Sequence, residues 1–174
     1  MVGRRPSFPD GLSLFGSFTV DGMSEPRWLS PPEMRAWLGY LEATNLLERQ
    51  LERQLQDEAG ISHAQYDILS TLSARPQRRM RMTELAAAVI VSKSGLTYQV
   101  GKLEKAGLVR REAHPLDERG VLAVLTDEGV ELLRRIAPGH VRTVRSYLID
   151  ALSPEQLGQL TEITAAMRER LRSG

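Results

Sequence analysis

Apolar positions recur every three or four residues along most of this chain and alternate only in one short stretch, which predicts helices interrupted by a single hairpin. Met34, Trp37, Leu38, Leu41, Leu47, Leu51 and Leu55 form the stripe of a long helix over residues 32–59, ended by Gly60. Ser62 and Gln65 form a capping box, with Ile61 and Tyr66 as its hydrophobic staple, for a helix reaching about Ala74. Residues 75–81 form a basic connector with a short strand at its end. Thr83 is placed to cap a helix whose apolar face is Leu85, Ala86, Val89 and Ile90. Ser92, with Val91 and Leu96 as staple, opens another, which buries Leu96, Val100 and Leu103 and stops at Gly107. Residues 108–111 and 121–126 read as strands, with His114 to Gly120 in the loop between them. Thr126 caps a helix to about Asp150, kinked at Pro138-Gly139, and Ser153-Pro154-Glu155-Gln156 opens a last helix bearing Leu157, Leu160, Ile163, Met167 and Leu171.

Residues 83–126 thus run helix, turn, helix, strand, charged loop, strand, the layout of a winged helix-turn-helix. The fold class expected is mainly α with a small β-hairpin wing. Opposite its buried face the second helix carries Ser94, Thr97, Tyr98, Gly101, Lys102 and Lys105, groups suited to phosphates and base edges. An amphipathic helix and a charged tip can also be mere core packing and solvated surface. Local charge separates the two readings. Between Arg75 and Arg111 there are nine basic and two acidic residues, a local +7 in a chain of net charge +1, so the remainder carries −6. Such asymmetry is an electrostatic footprint for a polyanion.

Composition narrows the remaining classes. The 174 residues fit one compact domain with helical extensions. No cysteine is present, which excludes disulfides and thiol switching. No apolar run has the length to cross a bilayer, and residues 12–20, broken by Gly16, Ser17 and Thr19, make a poor signal peptide; a cytoplasmic location is expected. His63, His114 and His140 lie in separate elements and read as surface or capping residues, so no metal site is expected. Neither a phosphate loop nor a nucleophile-base-acid pattern is visible, and no enzymatic activity or cofactor is expected. Residues 1–31, rich in Gly, Pro and Ser, read as a flexible extension, with Met23 as a second candidate start.

The string Leu103-Glu104-Lys105-Ala106-Gly107-Leu108-Val109, then Asp117-Glu118-Arg119-Gly120 running into Leu125-Thr126-Asp127-Glu128-Gly129, resembles the MarR family of bacterial transcriptional regulators. The first string is shared with other winged-helix families; the Asp-x-Arg wing running into Leu-Thr-x-x-Gly is more specific. The resemblance covers roughly residues 32–172. It implies DNA-binding roles for Ser92, Lys93, Ser94, Thr97, Tyr98 and Lys102 on the recognition helix. In the wing it implies that Arg119 reaches the minor groove and Asp117 helps hold it. Tyr98 stands where many members have arginine or proline. Residues 32–61 and 127–174 are then dimerisation helices around a winged-helix domain at 62–126, although they could also only cover their own core. Family members often sense small aromatic or amphipathic molecules between these parts. Trp37, Tyr40, His63 and Tyr66 are candidate lining residues, with core packing the alternative. The function expected is a homodimeric, ligand-responsive repressor on a pseudo-palindromic duplex. The rival is a winged-helix module that binds protein without specific DNA binding.

Overall fold

The structure, a computed structural model, describes residues 27–89 and 93–173. It contains helices α1 (Pro31–Ala59), α2 (His63–Ser73), α3 (Met82–Ala88), α4 (Lys93–Lys105), α5 (Asp127–Val144) and α6 (Pro154–Arg172). Three strands, β1 (Arg79–Arg81), β2 (Val109–His114) and β3 (Asp117–Leu125), form an antiparallel sheet in the order β1-β3-β2. The chain divides into two units within α1, one ending at Trp37 and one beginning at Leu38. No described helix is long and apolar enough to cross a membrane. Residues 1–26, and with them most of the expected extension, lie outside the described residues, as does the Val91-Ser92 cap.

Local chemistry explains most boundaries. Ser62 accepts from the Gln65 amide while the Gln65 side chain accepts from the Ser62 amide, and Ser153 with Gln156 repeats this box before Pro154 at the start of α6. Gly107, at φ 72°, ends α4: its amide donates to the Glu104 carbonyl and that of Leu108 to the Leu103 carbonyl, bonds that need a left-handed residue at this place. The core gathers Leu55 of α1, Ile68, Leu69 and Leu72 of α2, Leu85 of α3, Leu96, Val100 and Leu103 of α4, Val109 and Ala123 of the sheet, and Val130, Leu133 and Ile136 of α5. The stripes of α2 to α5, with Leu55 of α1, therefore converge on one interior in the second unit, whereas α6 buries no residue.

Three expectations change. Thr83 does not cap α3; the helix begins at Met82, and Arg81, extended at φ −62° and ψ 141°, occupies the cap position without a side-chain bond. Strand β1 feeds straight into the helix and leaves no residue free for the role. The loop of the wing is shorter than expected: β3 already begins at Asp117, so only Pro115 and Leu116 join the strands, with an irregularity in register between Ala113 and His114. Finally, the helix expected to reach about Asp150 is α-helical only to Val144, with Pro138 inside it, and closes in a π-helical turn over Arg145–Ile149.

Candidate nucleic-acid interface

Helix α4 buries Leu96, Val100 and Leu103 and exposes Ser94, Thr97, Tyr98 and Lys102. These lie three or four residues apart, so they share one outward face. The ammonium of Lys102 sits 4.8 Å from the centroid of the Tyr98 ring, a cation–π contact that holds the ring along the helix surface. Of the other expected contacts on this helix, Ser92 lies outside the described residues and Lys93 contributes the first residue of α4.

Sequence reasoning missed what holds this helix. It counted Arg110 and Arg111 together as local charge, but adjacent strand residues point to opposite faces. Arg111 turns toward α4: its guanidinium donates to the Thr97 carbonyl at 3.5 Å and pairs with Glu104 at 3.4 Å. The Arg111 amide also donates to Glu104 at 3.3 Å. A Cβ at Gly101 would lie 3.3 Å from Nη2 of Arg111, so the glycine leaves room for this guanidinium. Arg110 turns the other way and pairs with Glu112 at 2.8 Å.

The wing has a similar unseen brace. Asp117 was expected to orient the Arg119 guanidinium, but the structure gives its carboxylate other partners. Oδ1 accepts from the Arg119 backbone amide at 3.1 Å, and Oδ2 pairs with Arg81 at 2.7 Å. The bond from the Arg119 amide, followed by that from Arg81, holds the Asp117 carboxyl below its usual range. Nδ1 of His114 accepts from the Leu116 amide at 3.2 Å, which shapes the two-residue turn. Arg119 is exposed on the arm so formed. Arg81 and Asp117 are 36 positions apart, and the only sequence signal for the pairing is the short strand that ends the basic connector.

A second group of expected residues gathers elsewhere. His63 and Tyr66 of α2 meet His140 of α5, with the Tyr66 and His140 rings 4.2 Å apart and His63 5.9 Å from His140. The histidines are therefore not isolated surface residues. His63 pairs with Glu48 of α1 at 2.8 Å, and its amide donates to Glu52 at 2.6 Å. Nδ1 of His140 and both side-chain polar atoms of Gln54 are buried without a hydrogen-bond partner among the described residues. Tyr40 is half exposed on α1, and Trp37 belongs to the first unit. Among the described residues no group of three or more acidic or histidine side chains could hold a metal ion.

Burial pushes the His140 imidazole below its ordinary pKa; His63 adds to this and Asp67 opposes it. The folded state therefore binds a proton on His140 less readily than the unfolded chain, so stability is full at high pH and falls as pH drops through the unfolded value of about 6.5. Thermal melts between about pH 8 and about pH 5 are expected to show a decline that His140→Gln flattens. An unchanged slope in that variant would show that His140 is not the group responsible.

Comparison with known proteins gives consistent results. The sequence profile described as MarR family matches residues 59–120. The HTH-type transcriptional regulator PecS of Dickeya dadantii (strain 3937) is 30% identical over 131 residues, 75% of this chain and 76% of PecS. The transcriptional repressor MprA of Escherichia coli (strain K12) is 30% identical over 112 residues, 64% of this chain and 63% of MprA. Among solved structures, Sco3205, a MarR family transcriptional regulator from Streptomyces coelicolor in complex with DNA, superposes with a TM-score of 0.82. It is 50% identical, and the match covers 86% of this chain and 93% of that one.

Proposed function

Because this chain belongs to the MarR family of transcriptional regulators, we propose that it acts as a homodimeric, ligand-responsive repressor that reads a pseudo-palindromic DNA duplex. One observation carries the reading. The exposed face of α4 presents hydroxyls, a ring and an ammonium group in a row, and the braced wing beside it carries an exposed arginine. Helix α4 enters the major groove, Thr97 and Tyr98 read base edges, Lys102 holds a phosphate, and Arg119 enters the adjacent minor groove. The complex of Sco3205 with DNA supports the DNA-binding role, and the name of MprA supports repression.

Dimerisation is supported by apolar surface that one chain leaves uncovered. Ile163, Met167 and Leu171, one helical turn apart on α6, are all exposed, Leu171 by 77%. A two-fold partner covers such a stripe and sets two recognition helices one DNA turn, about 34 Å, apart. Deleting residues 153–174 is expected to give a monomer by light scattering, with operator affinity reduced to that of a single half-site. A truncated dimer with intact affinity overturns this arrangement. For the effector, the His63, Tyr66 and His140 rings and the unpartnered polar atoms of Gln54 and His140 favour a small aromatic molecule with a polar group.

The test starts with DNA fragments selected from a random pool by the purified protein. Thr97→Ala and Tyr98→Ala are expected to flatten base preference, each by about 1–3 kcal/mol of discrimination. Lys102→Ala is expected to weaken all sequences alike and to lower the salt slope by about 1, the share of a single phosphate. Selectivity unchanged in both alanine variants means that α4 is not the reading helix.

A further inference from the structure

The arginines near the wing divide between two faces of the sheet, and one face is not used by the DNA contacts proposed above. Arg111 faces α4, so Arg110 faces away from it. Val124 lies opposite Arg110 in one direction and opposite Arg79 in the other, so Arg79, Val124 and Arg110 form one row across the outer face. The connector before β1 adds to the row. Gln77 and Arg78 both adopt left-handed backbone, at φ 56° and φ 52°, in the turn by which the chain passes from α2 into β1. An open groove of about 520 Å³ results, lined by Arg75, Arg78, Arg110, Val124 and Asp127 among others. Three acids near this face are already engaged, Asp127 with Arg78 at 3.0 Å, Glu112 with Arg110 at 2.8 Å, and Asp117 with Arg81 at 2.7 Å, while Glu84, which lines a groove with Arg75 and Arg79, has no ion pair among the described residues. Arg75 and Arg79 are exposed and have no ion pair among the described residues. Arg75 lines both this groove and an adjoining one of about 460 Å³ that holds Arg79 and Glu84, and these two cations against one acid leave positive charge in excess, which matches an anionic partner.

Strand order indicates where that partner runs. Helix α4 packs against β2, and β3 and then β1 lie successively further from it, each by about 4.8 Å. With α4 in a major groove and the wing tip in the neighbouring minor groove, the β1 edge is the part of the sheet displaced furthest along the duplex, past the half-site. We propose that the outer face of the wing, through Arg75 and Arg79, binds the phosphate backbone of DNA flanking the operator and draws that DNA toward the protein. This rests on the DNA-binding reading but adds a contact that carries no base information, and it makes the bound site longer than the sequence that is read.

The experiment compares a duplex ending at the wing contacts with one extended by about one helical turn on each side. The wild-type protein is expected to bind the longer duplex about tenfold more tightly at low salt, and scrambling the flanks keeps that advantage because phosphates are sequence-blind. Arg75→Gln with Arg79→Gln is expected to abolish the advantage and to lower the salt slope on the long duplex by about 1.8 per protomer, at about 0.9 per phosphate. Short-duplex affinity and the melting curve stay as in wild type. Arg75→Lys with Arg79→Lys keeps most of the advantage, since the charge remains. Equal affinity of the wild type for both lengths overturns the proposal and leaves the operator reading intact. So does a glutamine variant that weakens both duplexes alike. Failure of the wild type to bind either duplex overturns both.

Discussion

Arg119→Ala is expected to weaken operator binding by about 10- to 100-fold, the range of one charge-assisted contact of roughly 1.5–3 kcal/mol, while dimer mass and helix content stay unchanged. A guanidinium suits the negative potential concentrated in narrow, A·T-rich minor grooves, and Arg119 is exposed. Arg119→Lys is expected to recover only part of the loss, since lysine lacks the planar fork. The sharper variant is Asp117→Ala. Removing a negative charge from an arm proposed to face DNA strengthens binding if bulk electrostatics dominate. The contacts give the opposite sign: Asp117 holds the Arg119 amide at 3.1 Å and the Arg81 guanidinium at 2.7 Å, so its loss releases the tip of the wing from the end of β1. Weaker binding is therefore expected, with Arg81→Ala producing a similar and non-additive loss. Titration at fixed salt decides the matter, and tighter binding by Asp117→Ala would falsify the brace.

Gly129→Ala is expected to destabilise the fold by about 1–3 kcal/mol, the range for overpacking, and to lower Tm by several degrees. A Cβ there would press on the Leu108 carbonyl oxygen, which is backbone and cannot swing aside, and stand 2.6 Å from Cδ1 of Leu125, a side-chain end buried in the core. The first turn of α5 therefore sits directly on the chain leaving α4. Gly158→Ala is the control: it lies in α6 with nothing within 4 Å of the added methyl group, and helix propensity there favours alanine. Equal melting shifts for the two variants would remove the packing argument.

Caps and stops were legible in the chain because they are local: Ser62 with Gln65, Ser153 with Gln156, Thr126 and Gly107 act within a few residues of themselves. Periodicity likewise identified Leu96, Val100 and Leu103 as inward, which fixed Thr97, Tyr98 and Lys102 as outward. Periodicity states whether a residue is covered but not by what. The partners of Asp117, Arg111 and His140 come from other elements, so Arg81, Glu104 and Tyr66 were invisible as partners. Thr83 failed as a cap because pairing with β3 carried the chain in extended form up to Arg81, and tertiary context overrode local preference.

The hydroxyl of Thr126 donates to the Gly107 carbonyl at 2.7 Å and accepts from the Gly129 amide at 3.1 Å. One oxygen thus joins the last turn of α4 to the first turn of α5, while His140 stands 13 residues along α5 from Asp127, an arm of about 20 Å. With the near end pinned, a shift of about 1 Å at the ring cluster is a rotation of about 3° at the joint. With α4 as the proposed recognition helix fastened to that joint, rocking α5 changes the angle at which α4 meets a DNA groove, and a few degrees over its 13 residues displaces its far end by about 1 Å.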